Sequence, residues 1–321
     1  MLDLEYDIHH IIRKTSATAA QIQQPLHRHH RNRIRDHSLK GMYMKPRKSI
    51  ALVTGASSGI GKATAERLTL AGYTVYGTSR RAAQANQQPF AMLSLDVTSD
   101  ESVDAAVGEV IRREGRIDLL VNNAGFGVAP AGAEESSLEQ ARAIFDTNFF
   151  GMVRMTRTVV PHMRRQGTGR IINIGSIFGF LPMPYMALYV ATKHALEGYS
   201  ESLDHELRTR GIRVSVIEPA NTSTQFDANA LEPDSQLEEY REIRAAMVKK
   251  MKELVEAGDK PGVVADAVLR AALATSPKLR YTAGGRARGL QFLRRFAPAG
   301  LVDAGIRRDL RLDAVPAGET S

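Results

Sequence analysis

The chain of 321 residues has no cysteine and no tryptophan, and aromatic residues make up only 6% of it. Without cysteine there is no disulfide, no thiolate metal site and no cysteine nucleophile, which fits a reducing, cytoplasmic setting. No stretch approaches the roughly 18 uninterrupted apolar residues of a membrane span. The opening Met1-Leu2-Asp3-Leu4-Glu5-Tyr6-Asp7 lacks the basic-then-apolar pattern of a secretory signal, and its early acids argue against a transit peptide.

Acidic residues are also in short supply, 35 against 43 lysines and arginines, for a net charge of +8. The excess is local. Residues 1–48 hold ten basic and four acidic side chains, so only +2 remains for everything after them. A nucleic-acid partner would need a basic surface on the folded part, so none is expected. Six of the nine histidines (9, 10, 27, 29, 30 and 37) lie in this leader. Residues 1–43 read as a disordered leader, or as sequence upstream of the true start, since Met42 and Met44 precede the first strand. No metal site is expected anywhere in the chain.

What is present is a regular alternation. Strand patterns occur at 49–54, 73–78, 90–95, 117–121, 169–175, 212–218 and 279–282. Helix patterns occur at 59–71, 99–114, 137–165, 187–210, 236–257 and 261–275. Strands alternating with helices predict an α/β fold, a doubly wound parallel sheet of about seven strands with helices on both faces. Ligands bind such sheets at the carboxyl ends of the strands. Three divisions follow: the leader to residue 43, a dinucleotide-binding catalytic domain over 44–285 with a substrate lid around 220–260, and a basic amphipathic extension over 286–321. The extension carries Arg286, Arg288, Arg294, Arg295, Arg307, Arg308 and Arg311 among apolar residues. Packing on the protein is its default; peripheral contact with an acidic membrane is the alternative.

Tyr189 and Lys193 stand four residues apart within a helix pattern, so both project from one face. A neighbouring ammonium favours the tyrosinate and lowers the phenol's pKa towards neutrality. Ser176, thirteen residues upstream, adds a hydroxyl that can hold a carbonyl oxygen. The first strand runs directly into Gly55-Ala56-Ser57-Ser58-Gly59-Ile60-Gly61 and then a helix. Backbone amides at such a helix start cradle a pyrophosphate. The second strand ends Thr78-Ser79-Arg80-Arg81, with no acid to bind a ribose 2′-hydroxyl. A guanidinium there suits a 2′-phosphate, so NADP(H) is the expected cofactor.

Together these motifs resemble the short-chain dehydrogenase/reductase family. Thr54 to Gly61 match its T-G-x-x-x-G-x-G, Asn122-Asn123-Ala124-Gly125 its N-N-A-G, and Asn148 the asparagine of the next long helix. Ser176, Tyr189 and Lys193 complete the match. The resemblance implies catalysis by Ser176, Tyr189, Lys193 and Asn148, the last holding a water in a proton relay; the alternative for Asn148 is that it only pins a bulge in the helix backbone. It implies cofactor contacts from Gly55, Ser57, Ser58, Gly59, Ile60, Gly61, Ser79, Arg80, Asp96, Val97, Asn122, Ala124, Gly125, Tyr189, Lys193, Pro219 and Thr222. Asp96 has a second reading as a helix cap. Where the family shows P-G after its sixth strand, this chain reads Pro219-Ala220, so the backbone at Ala220 should keep a negative φ.

The expected activity is hydride transfer between NADP(H) and a carbonyl or alcohol. The apolar run 178–186 points to a bulky substrate such as a ketone, steroid, retinoid or aldehyde. A homodimer or homotetramer, paired through the two long helices, is implied by resemblance. The competing readings are a nucleotide-sugar epimerase or dehydratase, whose usual G-x-x-G-x-x-G loop is missing here, and a non-catalytic NADP(H) sensor, which would not need the acid–base set.

Overall fold

The computed structural model describes residues 48–81, 88–224, 226, 230–310 and 312. The predicted leader lies outside the described residues, as does the end of the chain from 313 onward.

Seven parallel strands form one sheet in the order β3-β2-β1-β4-β5-β6-β7. They are β1 (Ile50–Val53), β2 (Thr74–Ser79), β3 (Ala91–Ser94), β4 (Leu119–Asn122), β5 (Gly169–Ile174), β6 (Ile212–Pro219) and β7 (Arg280–Ala283). β1 and β4 are buried along their whole length, because helices cover both faces. The alternating side chains of β1 divide between two cores. Ile50 and Leu52 point to one, with Leu120, Ile171 and Val214. It is closed by α2 (Asp100–Glu114) through Val103 and Val107, and by α4 (Gly151–Gln166) through Met155 and Val159. Ala51 and Val53 point to the other, closed by α1 (Gly59–Leu70) through Ala65 and Leu68, and by α7 (Pro261–Leu273) through Val264 and Val268. Each fully buried leucine or isoleucine contributes about 1.5–3 kcal/mol. The order reverses beside β1, opening a crevice at the carboxyl ends of β1 and β4.

Two predicted helices are divided in the structure, those over 137–165 and 236–257. The single helix predicted over 137–165 is α3 (Leu138–Phe145), a π turn at Asp146–Phe150, and α4. The cause is Asn148. Its Oδ1 accepts from the Phe126 amide at 3.0 Å, and its Nδ2 donates to the Phe126 carbonyl at 2.8 Å. The widened turn carries this side chain into a neighbouring loop, where no sequence period reveals it.

α5 spans Ala187–Arg208. The expected lid helix is a short turn at Glu238–Tyr240 followed by α6 (Arg241–Glu256). Its start is held by Glu135, which is fully buried. Glu135 accepts from the amides of Gly132 and Leu237 at 2.7 and 2.8 Å and pairs with Arg244. Beyond β7 the chain forms α8 (Gly284–Phe296) and α9 (Ala299–Asp309), so the extension expected from residue 286 begins inside a helix.

Candidate active site

The glycine-rich loop turns β1 into α1. Gly55 sits at φ +65°, which disfavours a β-carbon. A β-carbon on Gly61 would stand 2.1 Å from the Gly55 carbonyl oxygen, so only glycine fits this close approach. The N-terminus of α1 has neither a side-chain cap bond from Ser58 nor an acidic residue in its first turn. Its amides therefore point outward uncapped by side chains, which suits an anionic pyrophosphate. These residues fit a dinucleotide.

Asn122-Asn123-Ala124-Gly125 is fastened to this loop. The Thr54 hydroxyl accepts from the amides of Asn123 and Ala124, both at 2.9 Å. Asn123 Nδ2 donates to the carbonyls of Thr54 and Gly55 at 2.9 and 3.1 Å. Asn122 lines the crevice, and its side chain donates to Asn173 Oδ1 at 2.9 Å, tying β4 to β5. Ala124 lines the crevice, and a β-carbon on Gly125 would come within 3.0 Å of Asn148 Oδ1.

Ser79 ends β2 and its Oγ accepts from the Arg81 amide at 3.2 Å, while Arg80 is exposed beside it. Asp96 accepts from both the amide and hydroxyl of Thr98 at 3.0 and 2.7 Å, which hold its carboxyl below its ordinary range. The cap of α2 is Ser99, accepting from the Ser102 amide at 3.1 Å, so the second reading of Asp96 as the cap does not hold. Val97 is buried and lines the crevice.

The acid–base candidates gather where β5 ends. Lys193 Nζ donates to the Ile174 carbonyl at 2.9 Å and stands 5.6 Å from the centre of the Tyr189 ring. Two residues beyond Ile174, buried Ser176 opens a short turn, its Oγ accepting from the Phe178 amide at 3.2 Å. That bond leaves the hydroxyl proton to be donated elsewhere. Phe178 and Phe226 flank the Tyr189 ring edge-on, with ring centres at 6.4 and 5.7 Å. Burial lowers the Lys193 ammonium to about pKa 8, with Glu197 acting in the opposite sense. Asn148 Nδ2 also reaches Thr192 Oγ1 at 3.4 Å, so its side chain is committed to Phe126 and α5. Ala220 keeps a negative φ, as expected. Thr222 bonds back to the Ala220 carbonyl at 3.1 Å, closing the turn after Pro219. Thr224 then passes above Gly59.

Sequence reasoning missed a buried charged cluster behind these groups. Arg280 donates to Glu197 and Glu201, each at 3.0 Å, and stands 3.5 Å from Glu218. Gln291 of α8 donates to Glu218 at 2.9 Å. Burial, then the charge of Glu197, pushes Glu218 up to about 8, with Arg280 opposing. An acid closing the apolar strand Ile212–Pro219 was the one visible signal.

Residues 49–235 match the family model described as short chain dehydrogenase. The chain belongs to the short-chain dehydrogenase/reductase family. It is 39% identical to 3-ketodihydrosphingosine reductase of Bacteroides thetaiotaomicron over 237 residues, 73% of this chain and 87% of that protein. A short-chain dehydrogenase from Streptomyces avermitilis has a similar structure, with TM-score 0.69 and 33% identity over 84% of this chain and 98% of that one. So has a 3-ketoacyl-(acyl-carrier-protein) reductase from Brucella melitensis complexed with NADH, with TM-score 0.65 and 28% identity over 74% and 98%. The parallel sheet, glycine loop and tyrosine–lysine helix are thus those of a family of nicotinamide-dependent oxidoreductases.

Proposed function

We propose that the chain catalyses reversible NADP(H)-dependent reduction of a bulky, apolar ketone or aldehyde. The observation that carries this reading is the convergence of Tyr189, Lys193 and Ser176 at the end of β5, beside the open N-terminus of α1. The bound nicotinamide supplies or accepts the hydride. Gly55 to Gly61 hold the pyrophosphate, and Arg80, with no acid at the end of β2, takes the 2′-phosphate. Ser176 Oγ donates to the substrate oxygen and fixes its position. Tyr189 Oη donates to the same oxygen and gives up its proton as charge develops there. The Lys193 ammonium favours the phenolate left behind.

The apolar substrate is supported by a pocket beside Tyr189 lined by Val128, Ala131, Tyr185, Met186 and Leu188. Similarity to 3-ketodihydrosphingosine reductase supports a long-chain keto lipid as the first substrate to try. Pairing of two copies through α4 and α5 belongs to the same reading, and the exposed Phe150 at the start of α4 supports it.

The test is Tyr189→Phe, assayed by loss of reduced-nicotinamide absorbance against a panel of keto lipids, steroids and simple ketones. Turnover should fall by about 10²–10⁴-fold while NADPH affinity stays within twofold or so. A variant with undiminished turnover would remove Tyr189 as proton donor.

A further inference from the structure

α8 is clamped to the protein along one side. Ala287 and Leu290 join Ile177, Phe178 and Tyr189 in one apolar cluster. Gln291 bonds Glu218, and Arg294 Nε donates to the Phe180 carbonyl at 3.1 Å. At about 100° per residue, Phe292 and Phe296 fall on the opposite side of the helix. They are 67% and 64% exposed, with ring centres 4.7 Å apart. Leu293 and, on α9, Leu301 are exposed beside them in sequence. Arginines border the stripe on both edges, Arg288 and Arg295 on one and Arg286 on the other, all exposed. From Gly284 to Leu310 the chain holds six arginines and two aspartates, a net +4.

The inner side chains fix the helix, so the two phenylalanines cannot turn inward. Scattered apolar residues on a surface need no explanation, but a contiguous apolar stripe bordered by cations does. Its chemistry is that of an interfacial helix, with rings entering the acyl boundary and guanidinium groups reaching lipid phosphates.

We propose that the outer face of α8, with Leu301 of α9, docks on an anionic lipid bilayer. Docking brings the protein's side nearest Phe178 and Tyr189 to the membrane, where a water-insoluble substrate resides. Binding to the bilayer stands apart from the proposed reaction; its bearing on the substrate rests on that reading.

The probe is extruded vesicles of phosphatidylglycerol and phosphatidylcholine, compared with phosphatidylcholine alone, in a flotation assay with the full chain. The protein should float with the anionic vesicles, bind the neutral ones at least about tenfold more weakly, and lose binding as salt rises. Phe292→Ser with Phe296→Ser should reduce partitioning roughly tenfold or more while turnover of a water-soluble ketone is unchanged. Since the chain has no tryptophan, Phe292→Trp provides a single reporter, whose emission should shift to the blue on anionic vesicles alone. Three results would each overturn the proposal: a wild-type chain that stays unbound at low salt, a double variant that floats as well as wild type, or a dimer in solution that the double variant dissolves.

Discussion

The two halves of the crevice are built from different materials. On the β1–β2 side the work falls to backbone: uncapped amides of α1, the close approach of Gly61 to Gly55, and a threonine hydroxyl fastening one loop to the next. On the β5–β7 side it falls, on the proposed reading, to side chains, a serine, a tyrosine and a lysine backed by Glu197, Glu218 and Arg280. A backbone site tolerates no added volume but is indifferent to pH. A side-chain site tolerates isosteric change but answers to every nearby charge.

The largest effect should follow from testing the first half for volume. Gly61→Ala puts a methyl group 2.1 Å from a carbonyl oxygen and 2.4 Å from Asn123 Nδ2. Neither can retreat without breaking the loop. NADPH affinity should fall beyond measurement, and thermal unfolding should come earlier by an amount corresponding to about 1–3 kcal/mol or more. A variant that binds NADPH normally would show that the loop relaxes and that the contrast is overstated.

Arg80 is the charged side chain that the proposed reading adds to that half. On that reading, Arg80→Asp replaces the partner of a 2′-phosphate with a repelling carboxylate. The NADPH/NADH ratio of kcat/KM should drop about a hundredfold, the scale of one or two charge-assisted hydrogen bonds. An unmoved ratio would remove Arg80 from cofactor selection.

This contrast also explains what could be read in advance. Glycines at 55, 59 and 61 advertise a backbone site because the spacing itself is the constraint. The four-residue separation of Tyr189 and Lys193 is likewise local, set by one helical turn. Asn148 was visible as a residue that could pin a helix bulge, yet its partner Phe126, 22 positions away, was not. Arg280 meets Glu197 across 83 positions, and Arg244 meets Glu135 across 109. Such pairs belong to tertiary structure, and a sequence pattern shows only an acid in an apolar strand or an arginine on a helix.

The side-chain half should respond to pH. Glu218 keeps its proton in the folded chain up to about pH 8, whereas its ordinary value is 4.5. Its favourable contribution is therefore complete below about 4.5 and is lost as pH rises towards 8. Between pH 6 and 8 the chain should lose on the order of 2 kcal/mol of stability from this group. Glu218→Gln supplies a neutral isostere that still accepts from Gln291, so the slope of stability against pH should flatten over that interval. Denaturant titrations at several pH values measure it, and an unchanged slope would deny the buried proton.

The smallest effect probes whether the cluster reaches the chemistry. Glu197 follows Lys193 by one helical turn, and its Oε1 is buried with no hydrogen-bond partner among the described residues. Its side chain packs against Gly175 and Gly179, the two glycines that flank the turn opened by Ser176. A β-carbon on either would come within 3.1 and 2.9 Å of it. The negative charge of Glu197 holds Lys193 above the value that burial alone would give. Glu197→Gln removes the charge and keeps the shape, so the ammonium loses its proton at lower pH. The alkaline fall in kcat for reduction expected from loss of that ammonium should move to lower pH, with KM unchanged. Glu218 and Arg280 also face this carboxylate, and Glu218→Gln is the control that separates their influence. If Glu197 served packing alone, the variant would shift thermal stability and leave the alkaline limb where it stands.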